Sequence, residues 1–426
     1  MKKIFFFAAL CCAMMVNAAE KALPDSTIWE SAVDGSKEKF VYTYDANGNQ
    51  TSVSNYNMLN NSDAWIGNFK YEYTWYDSKN KTSEIYYGSW DALAQNWIPS
   101  LKHEWIYDAK GNCVSANAWV WKNNAWENYA KYEGTYDDRG NTLSETNAMW
   151  DAVANTWVNY YKNEYTYDDK DHQLSETGYN WDSNNNIWIP DYQLKSEYRA
   201  DGKTSDEYSY FWNQTTAAWE NQFHTVYVYL PPTDILYGTV TKIWEDNDWK
   251  NYRTRLYTYA GEERIASELI AYWSSESEAW INEAKEEYTY NEAGELLSSA
   301  KYIWSSDLDA WVGDGKLEYI KDEESGQFVS YIFYVWKNND WSSSHKLEAT
   351  YDEEGNLLSV VEYAWTTDLH MWVKTDETTY YYPAATEDID QIFHTPTGKS
   401  QKLLRNGQIR ILKGDKTFDV LGAEVR

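Results

Sequence analysis

Two markers keep step along almost the whole chain. Trp65, Trp97, Trp126, Trp157, Trp188, Trp219, Trp249, Trp280, Trp311, Trp341 and Trp372 recur every 29–32 residues. A tyrosine just before an Asp-containing turn, as at Tyr44, Tyr136, Tyr167 and Tyr351, follows the same interval. Two markers in phase over eleven units define a tandem repeat of about 31 residues. A unit this short cannot bury its own apolar face, so neighbouring units must do it for one another. The fold is therefore one small motif in series.

Each unit carries two turns. The first reads Tyr-Asp-x-x-Gly-Asn, as in Tyr136-Asp137-Asp138-Arg139-Gly140-Asn141. Asp opens a type I turn by hydrogen-bonding the backbone two residues on, and Gly takes the left-handed conformation that closes a bulged hairpin. Asn80 and Asp171 are expected in that role where Gly is missing. The second turn joins two tryptophans. Its short form is Trp121-Lys122-Asn123-Asn124-Ala125-Trp126, and its long form runs from Trp150 to Trp157 or from Trp181 to Trp188. The extra two residues keep parity, so both forms set the tryptophans opposite each other at a close cross-strand site.

Between turns the sequence alternates with period two, the pattern of strands. From Trp157 one face is expected to carry Asn159, Tyr161, Asn163, Tyr165 and Tyr167, the other Val158, Tyr160, Lys162, Glu164 and Thr166. The expected fold class is all-β: an antiparallel hairpin meander forming a long coiled or rolled sheet over residues 37–383. Residues 20–36 read as a lead-in. Leu230-Pro231-Pro232-Thr233 replaces the Asp/Gly turn and predicts a bend or irregular loop there, with a division of the array into two halves as a further expectation. Residues 384–400 read as a linker, and 401–426 as a small basic C-terminal β module.

The ends bear on location. Lys2-Lys3, the apolar run Ile4–Val16 and Val16-Asn17-Ala18 read as a secretory signal over residues 1–19, too short to span a bilayer. No later stretch is long and apolar enough for a membrane span, so the expected location is extracellular or on the outer cell surface, with the periplasm as alternative. Beyond Cys11 and Cys12 in the signal, only Cys113 remains, so no internal disulfide forms. A formal charge of −30 excludes nucleic acid and anionic lipid as electrostatic partners.

The Tyr-Asp-x-x-Gly-Asn-x-Leu-Ser stretches at Tyr136–Ser144 and Tyr351–Ser359 resemble the YD repeats of rearrangement-hotspot and teneurin proteins, which implies hairpins winding into a spiral. Leu404-Arg405-Asn406-Gly407-Gln408, Lys416-Thr417-Phe418 and the terminal Gly422–Arg426 are similar to C-terminal sorting domains of Bacteroidetes type IX secretion. That similarity implies export machinery as a partner of the tail.

The six histidines have no ligand spacing, and no phosphate loop, nucleophile elbow or metalloprotease helix occurs, so neither an enzyme nor a metal or cofactor is expected. Aromatic residues make up 18% of the chain. Rows of Trp beside Asn, Asp and Glu suit stacking on sugar rings, which makes Trp121, Trp126, Trp150, Trp157, Trp181 and Trp188 candidate platforms for glycans or other surface ligands. The competing reading makes these same residues the clasp of each hairpin, and a ligand site is then to be sought in what varies between units. A structural spacer without a small ligand is the alternative function.

Overall fold

The computed structural model describes residues 22–58, 64–261, 263–322 and 325–383, with the backbone of five short strands between Gln391 and Val425. The signal-like residues 1–19 and most of the 384–400 linker lie outside the described residues. Twenty-four strands, from Ser26–Ser31 to Met371–Tyr381, pair in chain order, each antiparallel to the next. The last strand also pairs with the first. At that seam the Asp25 N–H donates to the Tyr381 carbonyl at 2.9 Å and the Ala32 N–H to the Thr375 carbonyl at 2.7 Å.

The all-β hairpin meander is as expected, and the sheet, expected to be coiled or rolled, closes on itself as a barrel. An open sheet leaves two edges of unpaired N–H and C=O groups, and closure satisfies both. The closing strand, Ser26–Ser31, comes from the stretch that carries no repeat marker. Nor does the array divide at Pro231-Pro232. Tyr229 still pairs with Leu236 and Leu230 with Ile235, and the Asp234 N–H donates to the Leu230 carbonyl at 2.8 Å.

Both turns form as their residues demand. Asp137 Oδ1 accepts the Arg139 and Asn141 N–H groups at 2.8 and 2.9 Å, while Gly140 sits at φ 95°. Asp171 takes the glycine's place at φ 70°. Asn80 does not: in that unit Trp75, not Tyr76, fills the tyrosine position, pairing with Lys81 as Tyr167 pairs with Gln173. The tyrosine has a clear task. Tyr198 donates its hydroxyl to the Gln173 carbonyl at 2.9 Å, Tyr259 to Leu236 at 2.6 Å and Tyr351 to Phe328 at 2.7 Å. Each accepting residue lies just after the preceding Asp/Gly turn, beside the bulge that interrupts its ladder. The repeated tyrosine therefore rivets one Asp/Gly turn to the next, across the foot of the tryptophan hairpin between them.

A second bulge changes the faces. In the strand Thr156–Tyr167, Asn159 pairs with Ala148 and Tyr161 with Asn147, leaving Tyr160 as the extra residue. The extra residue reverses parity. Trp150, Trp157, Lys162 and Glu164 share one face, and Tyr161, Asn163 and Tyr165 lie on the other with Glu145. The expected alternation put Trp157 with Tyr161 and Tyr165; the bulge separates them. The same shift recurs at Tyr129, Gln222, Tyr252 and Glu283.

The wall is one sheet thick. Along the array, side-chain hydrogen bonds and ring contacts run within a hairpin or to the next one, as from Lys162 to Trp188 and from Tyr302 to Trp336. Near the seam Asn356 Oδ1 accepts the Ala22 N–H at 3.1 Å. Tyr331, Leu347, Ala349 and Val360 form a small buried cluster on the face opposite the tryptophans. No helix among the described residues is long and apolar enough to cross a membrane. A membrane wall built of strands needs an unbroken apolar band on its lipid side. Here one face carries Lys162 and Glu164 in mid-strand and the other carries Glu145 and Glu176.

The C-terminal sheet is a separate unit. Its strands Gln391–Phe393, Gln401–Arg405, Gln408–Lys413, Lys416–Phe418 and Glu424–Val425 form an antiparallel meander. It begins inside the stretch read as linker.

Candidate ligand site

The six tryptophans singled out by sequence come together as three pairs. Trp121–Trp126, Trp150–Trp157 and Trp181–Trp188 sit directly opposite across their strands. Their ring centroids lie 5.1, 5.1 and 4.9 Å apart, with planes crossed by 71°, 68° and 68°. These are edge-to-face clasps, the favoured aromatic geometry. The same pair recurs at Trp244–Trp249, Trp273–Trp280 and Trp304–Trp311, and all of these rings are half-buried. Crossed rings lack the coplanar row that stacking on successive sugars needs.

Below the clasps, on the same face, runs a row of three-residue groups. Lys162 Nζ lies 2.6 Å from Glu164 and sits over the rings of Tyr179 and Trp188, 4.7 and 5.6 Å from their centroids. Tyr179 donates its hydroxyl to Glu164 at 2.9 Å. Burial, with the Glu164 hydrogen bond added, pushes the Tyr179 phenol up to about 12. The Lys162 hydrogen bond holds the Glu164 carboxyl below the usual carboxylate range. Lys285, Glu287 and Tyr302 repeat the group, as do Lys316, Glu318 and Tyr334, and Lys346, Glu348 and Tyr363.

The row breaks over the strands Ile187–Tyr198, Ala218–Leu230, Asp248–Ala260 and Arg264–Ser274. Gln193 takes the lysine position first, donating to Thr177 at 3.0 Å, while Lys195 stands over the Tyr210 ring; His224 takes it next. Its Nε2 is 2.8 Å from Asp206, and its ring stacks on Tyr208 at 4.3 Å. One hairpin on, the whole group is replaced. Lys162 pairs with Tyr179 and Glu164 with Thr177; at the matching positions Thr254 pairs with Ala271 and Leu256 with Leu269. Thr254 turns its hydroxyl onto the Thr239 carbonyl at 2.9 Å. Ala271, which takes the tyrosine position, and Thr254 are both buried, so the surface exposed at this level is that of Leu256 and Leu269.

A groove of about 310 Å³ opens at this break, at the small end of the ~300–1,000 Å³ usual for small-ligand sites. Leu256 and Leu269 pave it, Trp311 walls it, and Asn282, Lys285 and the hydrogen-bonded pair Thr258–Ser267 stand around it. Lys285 is held in place by Glu287 at 2.7 Å and by the ring of Trp311, whose centroid is 5.3 Å away. None of the six sequence-selected tryptophans lines the groove. The signal that points to it is the pair Leu256 and Leu269, which stand where Glu164 and Thr177 stand in the filled group. Among the described residues no group of three or more His, Cys, Asp or Glu side chains is placed to hold a metal ion.

No family model and no curated protein matches the chain. Among solved structures, it is similar to a DUF3836 family protein from Bacteroides vulgatus at 23% identity, covering 21% of this chain and 90% of that one with a TM-score of 0.19. A porin-like protein from Bacteroides uniformis is 10% identical over 85% of this chain and 99% of its own, with a TM-score of 0.24. A Tc holotoxin pore from Photorhabdus luminescens is 11% identical, covering 97% of this chain and 25% of that one, at 0.28. Scores this low say nothing of what this chain does.

Proposed function

We propose that this is an exported, non-catalytic binding protein that takes a carbohydrate in the groove between Leu256, Leu269 and Trp311. The observation that carries the reading is the coincidence of the groove with the break in the repeated Lys–Glu–Tyr row. A scaffold built of constant units carries its ligand site where the units differ. An apolar floor and a tryptophan wall suit the C–H face of a sugar ring, and Asn282, Lys285, Thr258 and Ser267 supply hydrogen-bonding groups for hydroxyls. No carboxylate or imidazole lines the groove, which favours holding a ligand over cleaving it. The secretory pattern of residues 1–19 and the sorting-like residues 401–426 support delivery to the cell surface or medium.

The test is a tryptophan-fluorescence titration with a panel of neutral and acidic oligosaccharides, run on the native protein and on a variant whose groove floor is filled by Leu256→Tyr and Leu269→Tyr. The expected result is a saturable change for at least one sugar, lost in the filled variant while its circular dichroism and melting are retained. A filled variant that binds as the native protein does places the ligand elsewhere. A native protein blind to the whole panel removes the carbohydrate reading.

A further inference from the structure

The tryptophan turns form one rim of the barrel, and Asp25 and Tyr381, where the barrel's chain enters and leaves, lie at the other. Long and short turns differ in height. Two added residues raise a long loop by about one residue rise, ~3.3 Å, above a short turn. Short turns at Asn123-Asn124 and Asn338-Asn339 are therefore notches between taller neighbours.

The jaws of these notches are apolar. Leu93 and Val153 flank the first, each 98% exposed at the apex of Ala92-Leu93-Ala94 and Ala152-Val153-Ala154. Leu308 and Leu369 flank the second at 64% and 65% exposure. The first two apices are held out by their own turns: Asp91 accepts the Leu93 N–H at 2.9 Å and Asp151 the Val153 N–H at 2.8 Å. Jaws two hairpins apart stand about 19 Å from each other, four strand spacings, which leaves room for one hairpin tip.

The floors match as well. They read Trp121-Lys122-Asn123-Asn124 and Trp336-Lys337-Asn338-Asn339. Lysines 70, 102, 131, 162, 285, 316 and 346 of this barrel are paired with carboxylates; Lys122 and Lys337 have no ion-pair partner among the described residues. The third short turn serves as an internal control. Its floor is acidic, Glu245-Asp246-Asn247-Asp248, and its neighbours carry Thr215-Thr216 and Glu276-Ser277. Cationic floor and apolar jaws thus occur together twice and are absent together once.

We infer that this rim is a self-association surface, in which hairpin tips of a second copy seat in the two notches. The complement is present on the same rim. Asp307-Leu308-Asp309 and Asp368-Leu369 offer an apolar side chain flanked by carboxylates, which suits a lysine floor between apolar jaws. In a chain of formal charge −30, those two lysines are what lets acidic tips approach. Tips of one copy alternate with notches of the other, so the contact is self-complementary about a two-fold axis.

Sedimentation velocity of the full chain, from micromolar to hundreds of micromolar, reads the association directly. A concentration-dependent dimer is expected. Leu93→Asp with Val153→Asp should weaken it by roughly a hundredfold, Lys122→Glu with Lys337→Glu by a smaller factor that added salt shrinks further, and Asn247→Asp at the control turn not at all. Circular dichroism verifies that each variant folds; the exposed positions leave the ladder intact. A native protein that stays monomeric throughout, or a dimer indifferent to these changes, overturns the inference. So does a monomer that sediments with phosphatidylcholine vesicles through Leu93 and Val153, which assigns the apices to lipid.

Discussion

Two hairpins of the same barrel, one turning at Trp150–Trp157 and the other at Trp244–Trp249, share bulge position and clasp. They differ at the level of the row beneath. In the first, Lys162 and Glu164 rise from the wall and meet Tyr179 of the next hairpin; in the second, Thr254 and Leu256 face Ala271 and Leu269. Where Glu164 is held between Lys162 and Tyr179 the wall is filled; where Leu256 faces Leu269 it opens into a groove. The clasp does not differ, so function is separated from support by position within one unit. Three expectations probe that division.

The largest effect belongs to the clasp. Trp126→Ala removes one ring of an edge-to-face pair and should cost about 3 kcal/mol of stability in urea unfolding. Trp311→Ala should cost a similar amount and also abolish the fluorescence response to ligand, since Trp311 alone of the two borders the groove. Equal loss of binding in both variants breaks the comparison.

The rivet comes next. Tyr198→Phe, away from the groove, and Tyr259→Phe, on the hairpin that opens into it, each delete one hydroxyl donated to a backbone carbonyl. Both should cost about 1 kcal/mol. Amide exchange next to Gln173 and Leu236 should rise in step, and a clear inequality means that the groove's hairpin is held differently at its turn.

The smallest effect per residue is that of the row's ion pairs, which lie near the surface. Lys162 and Lys346 hold the carboxyls of Glu164 and Glu348 below the usual range. A lowered folded value means that the unfolded chain binds more protons, so this stabilisation is present above about pH 4.3 and is lost as the pH falls through the folded values. Melting followed from pH 6 downwards should drop for the native protein. Glu164→Gln should flatten that drop slightly, whereas Leu256→Gln should leave its pH dependence unchanged, because no carboxyl stands there.

Much of this was legible without coordinates. Trp121 and Trp126 face each other because a two-residue turn on Asn123-Asn124 fixes the register, and Asp137 with Gly140 dictates its own bulged turn. Such features depend on residues a few positions apart, and local stereochemistry decides them. The bulge at Tyr160 was not legible, since an extra residue shows only against its partner strand, and with it went the assignment of Tyr161 and Tyr165 to a face. Trp181 and Trp188 could be paired but not judged as platforms, because the angle between the rings is set by how the strands pack.

By itself, then, the sequence determined the unit: strand, clasp, strand, riveted turn, repeated at a constant interval. Only the tertiary structure decided that the series ends on itself. The partner of Ser26–Ser31 is Met371–Tyr381, at the far end of the chain, and no periodic mark announces the match. What selects it is the cost of leaving two sheet edges unpaired, a property of the whole array and of no single repeat. The groove has the same origin: Leu256 and Leu269 are ordinary strand residues until the register sets them side by side.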